Sequence, residues 1–141
     1  MKLILVDDFS ADRKLFAALL TGGKTPWLRD ITLTTASVVP PFSVLFMEYD
    51  GMILDERLGI QSGYEIAREI HALNWNFPVV VLTTEPMLMP LDALSYCDAV
   101  LSKRTDWAGF SALNPLFGLR SWVRNIARVI EARKANERTP P

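Results

Sequence analysis

Pro78-Val79-Val80-Val81-Leu82-Thr83-Thr84 is the stretch that decides the fold. Four apolar residues run without alternation, three of them β-branched, so this strand is expected to be buried on both faces. Such strands belong to parallel sheets covered by helices on either side. Working towards the N-terminus, Ser62-Gly63-Tyr64-Glu65 is a capping box that opens a helix with Ile66, Ala67, Ile70 and Leu73 on one face. Gly51 to Asp55 reads as a strand ending on an aspartate. Pro40-Pro41 leave room for a short helix over about 41–48, with Pro41 in its first turn. Ile31 to Ala36 is a β-branched strand. Leu3-Ile4-Leu5-Val6 repeats the unalternated pattern and stops at Asp7 and Asp8. Between them, Ser10 caps a helix over 11–20 with Ala11, Leu15 and Leu19 on one face. Gly22-Gly23 ends that helix, and 24–30 is a loop.

Working towards the C-terminus, residues 87–96 are expected to hold a short helix and Ala99 to Ser102 a fifth strand. A last helix over about 119–135 turns Trp122, Val123, Ile126, Val129 and Ile130 inward. Strand and helix alternate five times. The predicted architecture is therefore α/β, a doubly wound five-stranded parallel sheet with helices on both faces.

The chain has 141 residues, half of them hydrophobic and 22% charged, with a net charge of −1. That suits one folded domain and excludes a disordered chain. The domain is expected over 1–136, with an insertion at about 104–118 before the last helix and a disordered tail at 137–141. One cysteine, Cys97, excludes an intrachain disulfide and a CxxC zinc site. One histidine, His71, excludes a multi-histidine metal site. No run is long enough to cross a membrane, and Asp7 and Asp8 break the opening apolar stretch short of a signal-peptide core. These features predict a soluble, cytoplasmic protein with no membrane partner.

In a doubly wound sheet the site lies beyond the carboxyl ends of the strands. Asp7 and Asp8 follow the first strand, Asp55 ends the third, Thr83 the fourth, and Lys103 follows the fifth. An aspartate pair alone would do no more than cap a helix, and a lone lysine says less. Four strands delivering three carboxylates, a hydroxyl and an ammonium to one edge say more. Carboxylates so close repel unless a cation joins them, and Mg²⁺ prefers hard oxygen ligands. One carboxylate can then act as a nucleophile towards phosphorus. Lys103 and the metal would neutralise the transferring phosphoryl group, and Thr83 would donate a hydrogen bond to it.

From residue 2 to about 103 the chain resembles the receiver domain of two-component response regulators, a flavodoxin-like, CheY-like family. The motif is an acidic pair after strand one, an acceptor Asp after strand three with a Gly eight positions on, a Thr or Ser after strand four and a Lys after strand five. Here these are Asp7 and Asp8, Asp55, Gly63, Thr83 and Lys103. The resemblance implies phosphoryl transfer to Asp55 from a histidine kinase or phosphotransfer protein. It implies Mg²⁺ held by Asp7, Asp8, Asp55 and the backbone carbonyl of Arg57. It implies signalling rather than enzymatic turnover. Arg57 and Glu85, which flank the approach to phosphorus, are expected to pair across the site, and Thr84 to narrow it further.

Three positions depart from the family. Gly59 stands where a Pro is usual, Arg104 where a Pro usually follows the Lys, and Val100 where an aromatic usually reports phosphorylation. Val100 and Arg104 support the competing reading, a phosphorylation-independent pseudo-receiver acting as a protein-interaction module. A phosphohydrolase is a third reading, weakened because residues 7 and 9 are Asp and Phe rather than an Asp-x-Asp pair. No effector domain is expected after the last helix, so output falls to protein contacts. Residues 118–138 carry six basic and two acidic side chains, and 1–117 carry nine and fourteen. Arg120, Arg124 and Arg128 form either a solvated helix face or a docking surface for an acidic downstream protein. Trp107, Phe110, Leu113, Leu116 and Phe117 form either an extra turn packed on the domain or a partner or homodimer contact. No base-reading motif is present, so nucleic acid is not an expected partner. His71 reads as a surface residue and Cys97 as an inert thiol.

Overall fold

The computed structural model describes residues 1–21 and 31–103. The loop at 24–30, the Gly22-Gly23 helix stop, Arg104, the 104–118 insertion, the last helix with its arginine stripe and the 137–141 tail lie outside the described residues.

The elements run β1 (Lys2–Val6), α1 (Ser10–Thr21), β2 (Thr32–Ala36), α2 (Phe42–Glu48), β3 (Gly51–Asp55), a hairpin of β4 (Arg57–Leu58) and β5 (Gln61–Ser62), α3 (Gly63–Leu73), β6 (Val79–Thr83) and β7 (Ala99–Ser102). The five main strands form one parallel sheet in the order β2-β1-β3-β6-β7. From β1 the chain steps outward to β2, then returns past β1 to β3 and continues outward on the other side. Right-handed crossovers therefore place α1 on one face and α2 and α3 on the other.

The absence of alternation in β1, β3 and β6 is explained by burial on both faces. Ile4, Val6, Met52, Leu54, Val79 and Val81 pack with Leu45 of α2 and Ile66, Ala67 and Ile70 of α3. Leu3, Leu5, Ile53, Val80 and Leu82 form a second core on the opposite face, with Ile31, Leu33 and Leu101 against it.

Several local expectations are corrected. Ser10 is the first residue of α1 rather than its cap, and Ala11 and Leu15 of the expected inward face are exposed. Leu73, the last residue of α3, is also exposed. Pro41 caps α2 instead of sitting in its first turn. The expected helix within 87–96 is two 3₁₀ turns, Pro86–Leu88 and Ala93–Ser95, separated by Pro90. The capping box is half made. Ser62 Oγ accepts the Tyr64 N–H at 3.1 Å, one position earlier than the box requires. No pattern in the sequence announced the two-residue strands β4 and β5, which pair antiparallel across Gly59 and Ile60.

Candidate functional site

The sheet reverses direction of winding between β1 and β3, and their carboxyl ends form the switch point. Val6 pairs with Leu54, so Asp7 falls beside Asp55 one step further on. Asp55 is in register with Leu82, and Thr83 with Ser102, just before Lys103. All the residues expected at the strand ends thus meet on one edge.

Asp7 is fully buried, and its carboxylate is held from two sides. Oδ1 accepts the Phe9 N–H at 2.9 Å and Oδ2 accepts Lys103 Nζ at 2.9 Å. Arg13 Nη1 donates to the Asp7 carbonyl at 2.7 Å, fixing the start of α1 against the strand end. Asp8 is exposed, and its Oδ2 accepts the Gly59 N–H at 3.1 Å. Lys103 Nζ lies 2.8 Å from Asp55 Oδ1 and 3.1 Å from Asp12 Oδ2. One ammonium, itself nearly buried, therefore bridges β1, α1 and β3.

The electrostatics follow from this packing. Burial raises the Asp55 carboxyl, Lys103 pulls it back, and Asp7 and Asp8 push it up again, leaving it at about 6. Burial works against the Lys103 ammonium, but its bonds to Asp55 and Asp7 prevail and hold it above the usual lysine range. Asp7, Asp8 and Asp55 each offer a carboxylate oxygen, all within 4.8 Å of one another. Octahedral Mg²⁺ holds oxygens at about 2.0–2.1 Å, which sets adjacent ligands roughly 3 Å apart and opposite ones about 4 Å apart. Three converging carboxylates supply the hard oxygen donors that such an ion takes. A cavity of about 420 Å³ opens over them, lined by Asp8, Asp12, Asp55, Arg57, Thr84 and Lys103.

Gly63 has a role that helix geometry alone did not suggest. A Cβ there would lie 2.1 Å from the Asp55 carbonyl oxygen, so α3 docks directly on the backbone of the candidate acceptor. Gly59 has φ +64°, a conformation closed to proline, whose ring locks φ near −65°. Its departure from the family pattern is what allows the turn that presents its N–H to Asp8.

Three features escaped the sequence. The Thr83 hydroxyl donates to the Glu56 carboxylate, and its Oγ1 accepts the Glu85 N–H at 3.0 Å. Asp12 reaches Lys103. The Tyr64 phenol is buried beside Thr83 without a well-formed hydrogen bond; burial pushes it up to about 12, and the contact with Thr83 holds it back only in part. Only the five-residue step from Asp7 to Asp12, little more than one helical turn, hinted at any of these. The expected pair between Arg57 and Glu85 is not among the ion pairs of the described residues. Arg57 is exposed, and the Glu85 backbone N–H donates to Thr83 Oγ1. Val100 packs against the core formed with α2 and α3. His71 is exposed in the last turn of α3, and Cys97 is buried. No helix of the described residues is long and apolar enough to cross a membrane.

No protein-family model and no curated protein matches the sequence. Solved structures do match. A response regulator receiver domain protein from Clostridium thermocellum superposes with a TM-score of 0.70 at 19% identity, covering 93% of this chain and 97% of that one. The response regulator TrrA from Thermotoga maritima, solved with Mg²⁺-BeF, gives 0.62 at 19% identity over 89% of this chain and 97% of that one. The chemotaxis protein CheY4 from Vibrio cholerae gives 0.59 at 19% identity over 87% and 96%. This chain has the fold of response-regulator receiver domains.

Proposed function

We propose that this chain is a receiver that accepts a phosphoryl group on Asp55 from a histidine kinase or phosphotransfer protein and signals through protein contacts. The observation that carries this reading is the placement of Lys103 Nζ, 2.8 Å from Asp55 Oδ1 and 2.9 Å from Asp7 Oδ2, over three converging carboxylates. Asp7, Asp8 and Asp55 would hold Mg²⁺, with the Arg57 carbonyl as the backbone oxygen. When bound, the ion supplies positive charge beside the transferring phosphoryl oxygens. An Asp55 carboxylate oxygen forms the new bond to phosphorus as the bond to the donor's histidine nitrogen breaks, and that nitrogen keeps the bonding pair. Lys103 pairs with the added negative charge as a point cation, and Thr83 donates its hydroxyl to a phosphoryl oxygen. The TrrA structure holds Mg²⁺-BeF, and the same acyl-phosphate mimic suits this acidic edge. Residues 104–136 are the proposed contact region for a downstream protein, and the cytoplasm the proposed compartment.

The test is amide NMR with Mg²⁺ and BeF₃⁻. The reading expects shifts around Asp55, Thr83 and Lys103 that vanish in Asp55→Asn. Identical shifts in that variant would remove Asp55 from the acceptor role. No response in either protein would favour the pseudo-receiver.

A further inference from the structure

The Thr83 hydroxyl has a single proton, and Glu56 takes it. Thr83 is fully buried, so no bulk water shares that proton. The Glu85 N–H donates to the same oxygen at 3.0 Å and keeps the side chain in place. The root of Glu56 is equally fixed. Its N–H donates to the Leu82 carbonyl at 2.9 Å, and its carbonyl accepts the Gly63 N–H at 2.7 Å. Glu56 directly follows Asp55 and lines the same cavity.

We propose that Glu56 is a positioning residue that competes with a phosphoryl group on Asp55 for the Thr83 hydroxyl, and so sets how readily the domain responds to acceptor occupancy. This rests on the phospho-acceptor reading above. One proton cannot serve two anionic acceptors. For Thr83 to donate to a phosphoryl oxygen, it must first give up a charge-assisted bond to Glu56. The exchange is open to Glu56 because its side chain is only partly buried and its released carboxylate can turn to solvent. The added phosphoryl charge would also repel that carboxylate, in the same direction.

The test titrates BeF₃⁻ at saturating Mg²⁺ by amide NMR in wild type, Glu56→Ala, Thr83→Ala and the double variant. Hydrogen bonds to charged groups are worth enough that freeing Thr83 should tighten apparent BeF₃⁻ affinity roughly tenfold. In the Thr83→Ala background the Glu56 substitution should tighten it far less, because the hydroxyl under competition is gone and only the relief of like-charge repulsion remains. Equal tightening in both backgrounds would make Glu56 a mere source of repulsion and overturn the competition. No tightening in either would do the same. A second readout needs no BeF₃⁻. Releasing the Thr83 proton alters Oγ1 as an acceptor, so the Glu85 amide resonance should move in Glu56→Ala. An unmoved Glu85 amide would overturn the competition even where Asp55 accepts BeF₃⁻. A moved amide, with both proteins silent to BeF₃⁻, would place the failure in the phospho-acceptor reading, and the competition would fall with it.

Discussion

Replacing Gly63 by alanine sets two physical effects against each other. Considered locally, the substitution should help. Gly63 is the first residue of α3, and alanine would reduce the entropy of the unfolded chain, an effect worth about 0.4–1 kcal/mol. The tertiary contact opposes this. The new Cβ would stand 2.1 Å from the Asp55 carbonyl oxygen, 3.0 Å from its carbon and 3.1 Å from Glu56 Cα. None of these atoms belongs to a flexible side chain. The Glu56 segment is tied to β6 through the Leu82 carbonyl and to α3 through Gly63 itself. Relief therefore requires the end of β3 or the start of α3 to move, against the buried Ile66 and Ala67. Overpacking typically costs about 1–3 kcal/mol, and rigid backbone on one side puts this site at the upper end. Net of the entropic gain, Gly63→Ala should lose about 2 kcal/mol, a drop in Tm of roughly 5–10 °C for a domain this size. Urea unfolding followed by far-UV circular dichroism would show a lower midpoint at unchanged slope. Stability equal to or above wild type would refute the close approach. Gly59→Ala is the control. Its φ of +64° carries a left-handed cost of about 1–2 kcal/mol, with nothing within 4 Å to clash.

Three further outcomes follow from the same packing. The Asp55 carboxyl lies at about 6 in the folded chain against an ordinary 3.8, so the folded state binds more protons than the unfolded between those values. Stability of the metal-free protein should fall as pH rises from about 4 to 6, by up to ~3 kcal/mol from this group, and Asp55→Asn should remove that slope in urea midpoints. An identical pH dependence in both proteins would contradict the burial of Asp55. Tyr64→Phe deletes a buried hydroxyl that lies beside Thr83 without a well-formed hydrogen bond, so the melting temperature should hold or rise, by at most ~1 kcal/mol in stability; a loss would mean that the contact with Thr83 is a true hydrogen bond. Cys97 is buried and its thiol is pushed up to about 12, so a disulfide reagent at pH 8 should label it only as fast as the chain opens, with a rate that climbs with urea. Immediate labelling of the native protein would contradict that burial.

The parallel sheet was legible because β1, β3 and β6 are buried on both faces, and burial on both faces leaves an unbroken apolar run. The site was legible for a related reason. Parallel strands end on the same side, so Asp7, Asp55, Thr83 and Lys103 had to meet wherever the strands were drawn correctly. Elements held by less were read less well. The segment 87–96 carries Pro86 and Pro90 and too few residues for a helix between them, and it became two 3₁₀ turns. Leu15 and Leu73 obey helical periodicity and still lie exposed, because periodicity gives a face but not what stands opposite it.

From the sequence alone came the five main strands with the first three helices between them, the doubly wound class, and the acidic edge with its lysine, since each depends on patterns within a few residues and on the common direction of the strands. Only the tertiary structure decided that Glu56 engages Thr83, that Asp12 shares Lys103, that Arg57 and Glu85 stay apart, and that Gly63 is glycine because Asp55 lies against it. Those contacts join residues up to 91 positions apart. Their existence depends on ångström-scale distances between elements, which no local periodicity encodes.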